Sequence, residues 1–219
     1  MRYDSGGGFM SRIASRNRTI ALTGALCALV VILGMPPVHL GMIPLGPNAS
    51  ITIMHIPVLL AVMLIAHVSG LVSSVIVGAA FGIFSLMLAA ISPTGALDPL
   101  FVNPGVSVLP RMMLAVVAWL LWKLINLIPH MPKPISAVIV AFVSTLMHTC
   151  LVIGALYVFT FSNVRDAMGG LGYIAVMALL LPNALLEALA AAIVCAAVIG
   201  ATNAASGKKS KLSQEKIEP

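Results

Sequence analysis

Asn103-Pro104-Gly105-Val106-Ser107-Val108-Leu109-Pro110-Arg111 leads directly into the apolar run Met112-Met113-Leu114-Ala115-Val116-Val117-Ala118-Trp119-Leu120-Leu121-Trp122, which closes on Lys123. Taken with its flanks, roughly 105–128, the run is long enough to cross about 30 Å of hydrocarbon as a helix. Arg111 stands alone at its mouth, so capture of an anion is the first activity the stretch suggests.

The rest of the chain repeats the pattern. Of its residues 60% are hydrophobic and 8% charged, and mean hydropathy is +1.10. No soluble core needs that ratio, so the class is a polytopic membrane protein. Runs of crossing length are drawn at about 19–34, 56–67, 69–90, 105–128, 135–160 and 171–201. The expected fold is therefore all-α and integral to the membrane, with six transmembrane helices in one compact bundle. The second run is short and breaks from the third at Ser69-Gly70, so one long kinked segment is the alternative. Three parts follow: a basic N-terminal segment over 1–18, the bundle over 19–201, and a basic tail over 202–219.

The net charge of +6 is a topology signal here. Arg2, Arg12, Arg16 and Arg18 precede the first run, Lys123 and Lys133 flank the fourth connection, and Lys208, Lys209, Lys211 and Lys216 end the chain. With six crossings all of them share one side, which the positive-inside rule makes cytoplasmic. Both termini are then cytoplasmic, and nothing in the pattern calls for nucleic acid. The first run ends Leu33-Gly34-Met35-Pro36-Pro37 without a small-x-small cleavage site, so it is expected to be retained. Cys27, Cys150 and Cys195 lie inside runs with no CxxC spacing and read as small apolar packing residues. The outer connections, about 35–55, 91–104 and 161–170, are long and rich in Pro and Gly, whereas the inner ones are tight. Material for a lid is therefore outside.

Small and polar residues mark helix faces. Ala21 with Ala25 and Gly24 with Ala28 are each four apart, a spacing that lets another helix approach closely where lipid removes the hydrophobic driving force. That face suits a partner subunit or a neighbouring span of the same chain. Ser74, Gly78, Gly82 and Ser85 repeat the device in the third run, where packing within the chain is the better reading. Ser144, Thr145 and His148 share a face of the fifth run, and an ionisable ring at mid-membrane is costly unless it meets a cavity or a partner. In the sixth run Asn183 and Glu187 are four apart after Pro182, whose ring frees a carbonyl one turn earlier. Glu187 reads equally as a structural partner, a protonated acid or a binding group.

Enzyme signatures are missing. The chain has no HExxH and no GxSxG, and His148 with Glu187 is the one acid–base pair to consider. Gly200 stands too far before Gly207-Lys208-Lys209-Ser210 for a phosphate loop. If ATP drives this protein, another chain hydrolyses it.

Ile56-Pro57-Val58-Leu59-Leu60, Gly78 to Ser85, Asn103-Pro104 to Pro110-Arg111, Thr145 to Thr149 and Pro182-Asn183 to Glu187 together resemble the substrate-binding (S) components of energy-coupling factor (ECF) vitamin transporters, of the pantothenate, pyridoxine and folate type. The likeness covers most of 19–201. It departs at Ala66-His67-Val68, where many members have Gly-Pro-Lys, and at His148, where some have Asn. The resemblance implies a non-enzymatic, cofactor-free binder of a water-soluble vitamin in a prokaryotic plasma membrane. It implies a transmembrane scaffold subunit and, through it, two ATPase subunits as partners, with Ala21, Gly24, Ala25 and Ala28 contacting the scaffold. Arg111, His148, Asn183, Asn103, Ser107 and Thr145 are the expected substrate contacts.

For Arg111 two readings stand at this point. Its guanidinium fork suits a ligand carboxylate, and an arginine near a helix end also snorkels to the interface. Aromatic residues make up only 5% of the chain, and Trp119 and Trp122 read as interfacial belt residues. Pantothenate is accordingly the first expectation, followed by pyridoxine-type vitamins and hydroxymethylpyrimidine. A stand-alone secondary transporter is the alternative class.

Overall fold

The computed structural model describes residues 5–35, 42–46, 49–65, 67–93 and 97–215. Eight helices and one hairpin are found among them: α1 (Ser5–Gly34), β1 (Met42–Gly46), β2 (Ala49–Thr52), α2 (Ile56–Leu64), α3 (His67–Ile91), a 3-10 turn (Asp98–Val102), α4 (Pro104–Ser107), α5 (Leu109–Ile125), α6 (Lys133–Phe159), α7 (Phe161–Ala167) and α8 (Tyr173–Glu215). Five helical stretches have the length and apolarity to cross a membrane: Ile13–Gly34, Ser69–Ile91, Pro104–Ile125, Lys133–Phe159 and Tyr173–Ser206. The chain is thus a multi-pass, predominantly helical membrane protein.

The six-span expectation needs revision at its second member. α2 has nine residues, about 14 Å at 1.5 Å per residue, and cannot cross alone. Ile56 to Met63 are all buried, and Val58, Leu59 and Ala61 have no exposed surface. Hydropathy registered that burial, but the apolar surroundings are protein and not lipid. Pro57 starts α2, where its missing N–H costs nothing, and the extended Ile65 stops it.

The first outer connection also holds more than loop. β1 and β2 pair antiparallel, with Met42 opposite Thr52 and Ile43 opposite Ile51. β2 packs against α8, which brings the chain back into the bundle before α2 begins. Sequence in which Pro and Gly punctuate short apolar pieces hides such a hairpin. Residues Arg2 and Lys216 lie outside the described residues, while α1 and α8 run past the expected boundaries at 18 and 201.

Close helix contact explains the glycines of α3. A Cβ at Gly78 would lie 2.6 Å from the Arg111 carbonyl oxygen, and one at Gly82 would lie 2.5 Å from Val108 Cα. The α3 and α5 backbones therefore touch along this face, as the small-residue spacing anticipates. α1 behaves differently. Its inward stripe is Leu26, Val30 and Gly34, and Thr23 Oγ1 donates to Ser73 Oγ of α3 at 2.8 Å. Ala21, Gly24, Ala25 and Ala28 are exposed, with nothing within 4 Å of a Cβ at Gly24. Among the described residues, packing within the chain therefore leaves that face open.

Arg18 of α1, Val62 to Leu64 of α2 with the following Ile65, Lys123 of α5, Lys133 of α6 and Thr202 of α8 line one cleft. Arg18 of α1, the ends of α2 and α5, the start of α6 and the stretch of α8 around Thr202 consequently lie at the same end of the bundle.

Candidate functional site

Arg111 is placed by two short elements. Asn103 caps α4, its Oδ1 accepting from Gly105 N at 2.9 Å, and Pro104 opens the first turn. α4 in turn presents the Val106 carbonyl, which accepts from Arg111 Nη1 at 2.7 Å. Ser107 Oγ donates to the Phe101 carbonyl, tying α4 to the 3-10 turn. Phe81 and Phe101 cover the guanidinium, their ring centres 5.4 and 5.1 Å from Cζ. Such ring faces attract a desolvated cation by about 2 kcal/mol or more. Arg111 is only 6% exposed, so it is not an interfacial anchor. Its Nε has no hydrogen-bond partner among the described residues.

Arg111, His148 and Asn183 line a common cavity of about 220 Å³ with Thr52, His55 and Glu187. His148 is buried beside Phe81 and His55, ring centres 6.1 and 5.9 Å away, and its Nε2 lacks a partner among the described residues. His55 Nε2 lies 3.0 Å from Thr145 Oγ1, whose hydroxyl donates to the Ala141 carbonyl at 2.8 Å. Thr145 thus holds His55 from behind. The i, i+4 spacing of Asn183 and Glu187 is realised, with Asn183 Nδ2 donating to Glu187 Oε1 at 3.2 Å. The same oxygen accepts from Thr52 N at 2.9 Å, fastening the end of β2 to α8.

Three of the six expected contacts therefore line the cavity, while Asn103, Ser107 and Thr145 hold the elements that shape it. His55, Thr52, Phe81 and Phe101 were not singled out by the sequence. His55 carried the signal used for His148, an ionisable ring beside an apolar run. No comparable signal marked the phenylalanines. Among the described residues no cluster of three His, Cys, Asp or Glu could hold a metal.

What the site can do follows from its loose ends. An unpaired guanidinium N–H and an unpaired imidazole nitrogen, both buried, call for a polar ligand, because leaving such groups unsatisfied costs about 1–3 kcal/mol each. Across the cavity the Glu187 carboxyl and the Asn183 amide, bonded to each other, add polar surface to the wall.

The hairpin's fastening is open to test. Glu187→Ala deletes the acceptor for Thr52 N–H, and hydrogen–deuterium exchange over residues 49–55 is expected to accelerate by roughly tenfold for about 1.4 kcal/mol lost. Glu187→Gln keeps a carbonyl oxygen and should remain near the parent. Equal exchange in all three proteins would show that the hairpin is held by other contacts.

The sequence model of one family, described as ECF transporter, substrate-specific component, matches residues 18–199. Among curated proteins no match was found.

Proposed function

This chain belongs to the family of ECF transporter substrate-specific components, which are transporter subunits and not enzymes, and from that premise we propose that it binds a small water-soluble vitamin, with pantothenate the first choice. The observation that carries this reading is the buried Arg111 Nε without a partner, beside a cavity of about 220 Å³. A carboxylate there would supply the missing acceptor and neutralise the cation in a bidentate pair, while hydroxyl and amide groups of the same ligand face Glu187 and Asn183. The volume favours a small ligand, since sites for drug-sized molecules run to about 300–1,000 Å³.

A second reading rests on the rings. Phe81, His55 and His148 give the cavity more flat surface than the overall aromatic content suggests, which suits a pyridoxine-type vitamin or hydroxymethylpyrimidine. In both readings the β1–β2 hairpin serves as the lid, fastened at Thr52.

The charged end of the bundle is cytoplasmic in this proposal, by the positive-inside rule, and the membrane is that of a prokaryote. The exposed Ala21, Gly24, Ala25 and Ala28 face docks the transmembrane scaffold, which links the chain to two ATPase subunits. Ala25→Leu is then expected to abolish co-purification with the scaffold and ATPases while vitamin titrations on the isolated chain stay within about twofold of the parent, because bulk at a small-residue face wedges apart a helix contact. Uptake that persists without any ATPase partner would instead favour a stand-alone secondary transporter.

A further inference from the structure

The cleft at the charged end of the bundle has no part in the vitamin site, and its chemistry is different. About 560 Å³ in volume, it gathers Arg18, Lys123 and Lys133 from three helices, and no described carboxylate lines it. Trp119 and Trp122 stand in its wall, with Lys123 Nζ 4.7 Å from the Trp119 ring centre and Lys133 Nζ 5.7 Å from that of Trp122. Lys133 also donates to Asn126 Oδ1, and Asn126 Nδ2 donates to the Trp122 carbonyl at 2.6 Å. The two lysines are thus held beside the cleft. Its floor is apolar, made by Val62 to Leu64 of α2, the following Ile65 and Ile199 of α8.

We propose that this cleft binds the headgroup of an anionic phospholipid, with phosphatidylglycerol the chemistry that fits best. Three cations converge on a cleft with no carboxylate among its described lining residues, which favours an anion there, and basic pockets between transmembrane helices are suited to acidic headgroups. Free phosphate would satisfy the cations and leave the apolar floor unused, whereas an amphiphile engages both. Indole rings belong at the headgroup level of a bilayer. Thr202 and Ser206 refine the choice. Their hydroxyls donate to the Ile199 and Thr202 carbonyls, each at 2.9 Å, so their oxygens remain as acceptors. A glycerol headgroup brings hydroxyl donors to them, and a choline headgroup brings none.

The test uses the full chain, purified and placed in nanodiscs or detergent with defined lipid. Native mass spectrometry should show phosphatidylglycerol retained over phosphatidylcholine, and thermal unfolding should show a higher Tm in phosphatidylglycerol. Lys123→Gln with Lys133→Gln should cut that retention by roughly tenfold or more, from the loss of two cations near the surface. Lys208→Gln with Lys209→Gln removes the same charge from the following tail and should cost little. Equal loss in the tail variant would make the effect diffuse surface charge and overturn the proposal. So would competition by glycerol 3-phosphate at equal concentration, which would mark a soluble phosphate site. Equal retention of the two lipids would also overturn it and leave the cleft to an acidic segment of a partner protein. Unfolding in phosphatidylcholine, expected to be the same for parent and variants, confirms that folding is intact.

Discussion

Arg111→Ala is expected to weaken binding of a carboxylate vitamin by more than tenfold. Truncating one partner of a buried, hydrogen-bonded charge pair costs about 2–5 kcal/mol, and each 1.4 kcal/mol is a factor of ten. The loss combines a missing guanidinium fork with an anion left in a site walled by Phe81 and Phe101. Arg111→Lys should recover only part of it, because an ammonium is a point charge without the planar pair of donors. Arg111 also braces α4 through the Val106 carbonyl, so a structural contribution has to be separated. The alcohol analogue of the same vitamin does this. It should bind the parent poorly and lose little further in Arg111→Ala. A parallel fall for acid and alcohol would assign Arg111 to bracing alone, and unchanged acid binding would remove the main support for pantothenate.

The second large effect is expected where α3 meets α5 and the α4–α5 junction. Any side chain at Gly82 would begin 2.5 Å from Val108 Cα and 2.8 Å from the Ser107 carbonyl oxygen, and backbone cannot rotate away as a side-chain tip can. Overpacking costs about 1–3 kcal/mol for modest insertions and occasionally more, so Gly82→Val should exceed Gly82→Ala and lower the Tm of the purified chain strongly. Gly78→Val should act alike and also displace Arg111, whose carbonyl oxygen it meets, so vitamin affinity falls with stability. Gly24→Ala and Gly154→Ala are the controls. With nothing within 4 Å, they should be neutral or stabilising by up to about 1 kcal/mol from helix propensity. Similar Tm losses at all four positions would show that the α3–α5 approach is not specially tight.

Those glycines also show where sequence reading reaches its limit. Gly24 and Gly78 sit in the same small-residue spacing, yet one is exposed and the other touches backbone, because spacing defines a face and not its neighbour. The crossing helices were legible from hydropathy, since lipid demands long apolar runs. α2 was not, because a helix buried in protein looks the same in a hydropathy window as one buried in lipid. Arg111, His148 and Asn183 stood out as polar residues in apolar runs, and all three line the cavity. The Thr52 to Glu187 bond joins residues 135 positions apart and leaves no local trace. Phe81 and Phe101 were hidden by being apolar among apolar residues. Ser107 and Thr145 could have served a ligand or the backbone, and only geometry distinguishes a hydroxyl committed to a carbonyl from one left open.

Mass spectrometry of small molecules released from the chain purified out of native membranes tests the central claim most directly. The account predicts a stoichiometric water-soluble vitamin bearing a carboxylate, small enough for the cavity and depleted in Arg111→Ala. A neutral vitamin, or the same acid retained in full by the folded Arg111→Ala protein, would contradict it.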